Sequence, residues 1–164
     1  MVKHKLKTIV EKTCSFFTLL IVTSLILQSQ YASTLTVTSQ TYRRAGTSSS
    51  STNYYQAIQM NISTAGNYTI VCHSNMDTYG YLYNNAFDPV FPFLNLLKSN
   101  DDTGGNRQFK LKMFLQIRTQ YILVTTTYDV GVTGSFSIIA TGPTSIRFSP
   151  VNITSKNSNP SMTC

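Results

Sequence analysis

Between residues 54 and 149, apolar side chains recur at alternate positions. Clusters of Gly, Pro, Asn and Asp cut that pattern into short runs. Ile58, Met60 and Ile62 fall in phase with Tyr54, with Ala57 and Gln59 on the opposite face. Phe109, Leu111, Met113 and Leu115 alternate with Gln108, Lys110 and Lys112. A period of two belongs to β-strands, whose successive side chains point to opposite faces, and no helical spacing competes with it. The alternation predicts strands over 54–62, 67–74, 79–83, 93–97, 109–115, 121–128, 135–141 and 146–148, with a dense turn cluster at 99–106. Short strands separated by turn residues indicate an all-β sandwich or barrel, here of about eight strands.

Composition agrees with this reading. Hydrophobic residues make up 41% of the chain, enough for a core, while charged residues are only 12%. That charged share is about half the usual one. Ser, Thr, Asn and Tyr take its place, and Thr and Tyr favour strands while Ser and Asn favour turns.

The N-terminus reads as an address. Lys3, Lys5, Lys7 and Lys12 precede an apolar run over 15–27, the pattern of a secretory signal peptide. The run is shorter than the roughly 20 apolar residues that span a bilayer. Small residues at Ser29, Ala32 and Ser33 place the cleavage near Ala32 and Ser33, with an uncleaved signal anchor as the alternative. The expected organisation is a signal peptide at 1–33, a Ser/Thr-rich linker at 34–53, a sandwich at 54–149 and a polar tail at 150–164. The formal charge of +7 owes three units to the first 13 residues, Glu11 offsetting one lysine. The remaining bases are scattered, so nucleic acid is not an expected partner. Arg43 and Arg44 read as a solvated pair or a dibasic processing site.

Secretion agrees with three N-x-[ST] sequons, at Asn61, Asn67 and Asn152. Each is a glycan acceptor in a secreted chain. Cys72 lies in strand phase with Tyr68 and Ile70, which suits a small buried hydrophobe. A bridge from Cys72 to Cys164 is the other reading.

The chain is expected to be non-catalytic. Beyond the signal it has one histidine, His73, adjacent to Cys72. Adjacent strand residues face opposite ways, so the two cannot form a dyad. There is no G-x-S-x-G elbow, P-loop or zinc-ligand set. Two features carry binding chemistry. Asp101 and Asp102 sit in a Gly-rich turn, and clustered carboxylates are what calcium takes as ligands. The competing reading is that Asp and Asn cap their own turn. Tyr79, Tyr81 and Tyr83 share one strand face, with Gly80 and Leu82 on the other. Such a row either stacks on a ligand as an exposed binding surface or packs across strands. Lys110 and Lys112, with Arg118, form a basic stripe suited to an acidic polysaccharide or simply to solvent.

The order of motifs is more specific than the fold class. Gly66-x-Tyr68-Thr-Ile-x-Cys72 is followed by Asp77-Thr-Tyr-Gly-Tyr-Leu-Tyr83, then Asn100-Asp-Asp-Thr-Gly-Gly105. Phe109-x-Leu111, Tyr121-Ile-Leu-Val124 and Gly134-Ser-Phe-Ser-Ile138 complete the series. Over about residues 54–142 this resembles the bacterial-type pre-peptidase C-terminal (PPC) domain family. Gly80 departs from the family pattern, where a bulky strand residue is usual, and the 84–97 loop is long. The resemblance implies a jelly-roll-like antiparallel β-sandwich, a module found beside secreted enzymes, and relatives that bind matrix and calcium. It places Asp77 near the Asp101–Asp102 turn, making these three the candidate calcium ligands, with no other cofactor. The expected function is extracellular binding of a protein, matrix or polysaccharide, without membrane contact once the signal is removed. The alternative is a structural spacer or processing fragment of a larger secreted peptidase or repeat protein.

Overall fold

A computed structural model describes residues 26–44 and 51–153. The fold is an all-β antiparallel sandwich, and among the described residues it contains ten strands and no helix. The strands are β1 (Leu27–Leu35), β2 (Thr41–Tyr42), β3 (Asn53–Asn61), β4 (Gly66–Ser74) and β5 (Thr78–Asn84). They continue as β6 (Leu96–Asn100), β7 (Lys110–Leu115), β8 (Tyr121–Thr127), β9 (Gly134–Gly142) and β10 (Arg147–Val151). One sheet runs β1-β9-β4-β7. The other runs β10-β3-β8-β5-β6, with β2 also paired to β3. From β3 onward the chain changes sheet at every connection except β5 to β6.

The eight strands read from the alternation are all present. The fourth is displaced, because Asn95 takes a left-handed backbone (φ 63°) and β6 starts only at Leu96. A register shift between Leu82 and Tyr83 accommodates the offset.

Two strands lie where none was expected. β1 pairs with β9 from Leu27 opposite Gly142 to Leu35 opposite Gly134. Its half-buried or buried positions are Ser29, Tyr31, Ser33 and Leu35. Tyr31 packs 6.4 Å from Phe136 and 6.0 Å from Phe148, ring centre to ring centre. Ser29 Oγ accepts a hydrogen bond from the Ile146 N–H at 2.6 Å. The expected boundary at residue 33 therefore falls inside a strand, and the 34–53 linker contributes the end of β1 and all of β2. Two of the four inward residues are serines, so the apolar alternation is too weak to be read. Residues 1–25, with most of the proposed signal, and 154–164, with most of the polar tail and Cys164, lie outside the described residues.

Two apolar layers hold the fold. The larger, between the sheets, contains Ile58, Met60, Tyr68, Leu82, Phe109 and Leu123 among others. The smaller lies on the outer face of the second sheet and contains Tyr42, Tyr55, Ala57, Tyr81, Tyr83, Phe87, Ile122 and Val124. The β2 segment and the β5–β6 loop supply Tyr42 and Phe87 to it. With apolar material on both sides, every residue of β8 is buried. Cys72 is buried in the inner layer, and burial pushes its thiol up to about 11.

The unusual Gly80 has a steric cause. A Cβ there would meet the Phe109 ring at 2.5–2.7 Å. Gly80→Ala is expected to destabilise the domain by about 1–3 kcal/mol through overpacking. In the Phe109→Leu background the same change is expected to cost less, and denaturant unfolding of the double-mutant cycle measures that coupling. Likewise, a chain starting at Thr34 is expected to unfold at lower urea than one starting at Ile26. The expected difference is roughly 2 kcal/mol or more from the lost Tyr31 packing and β9 pairing.

Candidate functional site at the acidic end

Asp77, immediately before β5, and Asp101 and Asp102, immediately after β6, meet at one end of the sandwich. This follows from the antiparallel pairing of β5 with β6, which sets Gly80 opposite Asn100. One carboxylate oxygen from each lies within 4.8 Å of the other two.

Gln108, buried between the loops, clamps this end. Its Nε2 donates to the carbonyl of Met76 at 2.7 Å and to that of Arg107 at 3.0 Å. Its Oε1 accepts from Thr78 Oγ1 at 3.1 Å. The Thr78 N–H donates to the Arg107 carbonyl, and the Tyr128 N–H to the Asp77 carbonyl. The alternation groups Gln108 with Lys110 and Lys112, opposite Phe109 and Leu111, yet Gln108 is buried. Its real role depends on contacts with the β4–β5 turn, which strand phase does not encode.

The turn after β6 is capped by Asn100. Asn100 Oδ1 accepts from the Thr103 N–H, from Thr103 Oγ1 and from the Lys110 N–H, at 3.2, 2.8 and 2.8 Å. Asn100 therefore does the capping work that could have occupied the aspartates. Asp77 Oδ1 and Asp101 Oδ1 are enclosed and have no hydrogen-bond partner. Loss of solvent raises both carboxyls above the ordinary 3.8, and the charge of Asp102 adds to the rise. Arg107 opposes it at Asp77, and Arg44 opposes it at both.

Arg44 is the residue that sequence reasoning missed. It is 9% exposed, not solvated. Its guanidinium sits 4.7 Å from the Tyr79 ring centre and 4.9 Å from that of Tyr128, and Nη2 donates to the Tyr128 carbonyl at 2.8 Å. Two aromatic faces hold the cation by cation–π attraction. No local signal marks this in a basic pair set in a Ser/Thr-rich stretch.

The tyrosine row needs correcting as a binding surface. Tyr79 and Tyr81 stack at 4.7 Å, and Tyr81 and Tyr83 at 6.4 Å. Yet Tyr81 is 6% exposed and Tyr83 is fully buried. Tyr42 and Phe87 cover them edge-on or tilted, and Tyr83 Oη donates to the Pro92 carbonyl at 2.8 Å. Burial pushes Tyr81 up to about 12. The shared face read from the spacing is real, but it packs instead of facing solvent. Only Tyr79 is partly open, beside Arg44.

The remaining candidates are surface residues. Asn61, Asn67 and Asn152 are exposed, as is His73. Lys98, Lys110 and Lys112 line an open groove with Asn100 and Thr103, where β6 passes β7. The chain matches no model of a known protein family and no curated protein.

Tyr83→Ala is expected to cost about 3–5 kcal/mol of stability, as for other large aromatic truncations. Tyr79→Ser is expected to cost far less, and urea unfolding of the two variants checks the difference.

Proposed function

We propose that this chain is a secreted, non-catalytic glycoprotein whose PPC-like sandwich binds an extracellular protein, matrix or polysaccharide partner at its acidic end, with calcium held by Asp77, Asp101 and Asp102. The observation that carries the reading is the convergence of three carboxylates whose enclosed oxygens at Asp77 and Asp101 lack partners. Oxygens bound to one calcium at 2.3–2.6 Å stand at most about 5 Å apart, so the 4.8 Å spread fits a single ion. When bound, calcium would neutralise the cluster and offer open coordination positions to hydroxyl or carboxylate groups of a partner. Tyr79 and Arg44 adjoin the site and supply an aromatic edge and a fixed positive charge. The order of the Gly66-x-Tyr68, Asp77–Tyr83, Asn100–Gly105 and Gly134-x-Phe136 motifs along β4, β5, the β6–β7 turn and β9 supports the PPC-like reading. Exposure of all three sequon asparagines supports glycosylation.

The sign of two effects separates this proposal from a purely structural turn. Without a cation, Asp77 and Asp101 bind protons more readily folded than unfolded. Stability therefore falls as pH rises from the ordinary 3.8 through their raised values. At pH 7 in chelator, Asp101→Asn is expected to leave Tm unchanged or higher. With calcium one hundredfold above its Kd, the unsubstituted chain is expected to gain about 2.7 kcal/mol, and Asp101→Asn to gain little. Calorimetry in calcium and in chelator checks both. Sedimentation with collagen fibrils and insoluble polysaccharides, with and without calcium, then tests the function. Calcium-dependent retention lost in Asp101→Asn supports it, and no retention on any matrix turns the assignment to a spacer or processing fragment.

A further inference from the structure

The opposite end of the sandwich carries a different chemistry. Between β5 and β6 the chain reads Asp88-Pro-Val-Phe-Pro-Phe-Leu-Asn95. Val90, Phe91, Phe93 and Leu94 are 63%, 64%, 69% and 54% exposed. Side chains with more than half their surface open stand out from the fold instead of lining a groove. Apolar patches of this kind mark interaction sites.

The tip is held rigidly outward. Tyr83 Oη fixes the Pro92 carbonyl, Asp88 Oδ1 accepts from the Val90 N–H at 2.8 Å, and the Leu94 N–H donates to the Phe91 carbonyl at 2.9 Å. The Asn84 N–H meets the Asn95 carbonyl at 2.9 Å, closing the base of the loop. Phe87 is plugged into the outer apolar layer. The exposed side chains are thus displayed on a built platform and need no ordering on binding.

Charge separates the two ends. Asp77, Asp101, Asp102 and Asp129 stand just outside the strand ends at the acidic end. Among the described residues the one acid at the apolar end is Asp88, already engaged by the loop backbone. Arg118 and exposed Ile117 lie in the β7–β8 turn, which is tied to the tip's base by the Asn85 N–H to the Gln120 carbonyl at 2.7 Å. Arg147, exposed at the start of β10 and opposite Asn61, stands at this end as well. Leu27, opposite Gly142, opens β1 at this same end.

We infer that this end docks on a lipid bilayer with anionic headgroups, the 90–94 tip entering the interfacial region while Arg118 and Arg147 face the phosphates. Apolar burial with flanking bases is the chemistry of interfacial membrane binding. A protein groove would be filled by such a tip without needing flanking bases. This departs from the expectation of no membrane contact after signal removal. It is independent of the calcium reading, whose residues lie at the far end. Asn61 and Asn67 stand at the same end, so the face is tested on the secreted chain after enzymatic removal of any glycans.

The chain contains no Trp, so Phe93→Trp is a clean reporter at the tip and Val130→Trp a control at the acidic end. Each is mixed with phosphatidylcholine vesicles with or without phosphatidylserine, made with brominated acyl chains as quenchers. The Phe93→Trp emission is expected to shift blue and lose most of its intensity on anionic vesicles, and less in high salt. Val130→Trp is expected to stay unquenched. Adding Phe91→Ser and Leu94→Ser to the Phe93→Trp chain is expected to weaken partitioning roughly tenfold or more. Equal quenching at both ends, no quenching at Phe93→Trp, or equal binding to neutral vesicles would overturn the inference. A blue shift that grows with protein concentration without lipid would overturn it too, assigning the tip to a second copy of the chain.

Discussion

Strand β8 has no exposed residue, and the rest of the molecule is arranged around that constraint. A strand buried on both faces needs apolar cover on both. The first sheet supplies one cover. The other is assembled from pieces distant in sequence: Tyr42 from β2, Phe87 from the β5–β6 loop, and Val151 and Ile153 at and just past the end of β10. Drawing Tyr42 in brings Arg44 with it, to a position between two tyrosine rings. Drawing Phe87 in anchors a loop whose next residues have nowhere apolar to go and turn outward. The buried cation and the exposed tip both follow from covering one sheet.

The described residues also carry an electrostatic axis. Carboxylates gather at one end, on loops tied together by the Gln108 clamp, and are partly balanced by Arg44 and Arg107. Arg118, Arg147 and an exposed apolar tip occupy the other end. The two ends stand a strand's length apart, roughly 20 Å, more than the screening length in physiological salt, so they can bind unlike partners with little mutual interference.

How much of this was legible depended on whether the signal was local. The eight strands over 54–149 were readable because each has its own alternation and its own turn residues. β1 was not, because Ser29 and Ser33 occupy half of its inward positions. The shared face of Tyr79, Tyr81 and Tyr83 followed from spacing alone. Whether that face met solvent did not, since its cover comes from Tyr42 and Phe87 and periodicity reports phase, not what lies opposite. Asp101 and Asp102 were visible as neighbours in a turn, whereas Asp77 joined them through the ordered motif pattern. Arg44 and Gln108 act through contacts with remote segments and left no trace in their own surroundings.

The pairing of β1 with β9 also sets an order of events. The first strand of the sheet has its only partner in a strand near the end of the described chain, with Leu27 opposite Gly142. During synthesis β1 must wait, unpaired, until the residues that complete β9 have emerged. Sheets closed by such distant pairings fold slowly and leave strand edges open in the interval. The alternating serines of β1, which concealed it from periodicity, also make it a poor template for association while it waits.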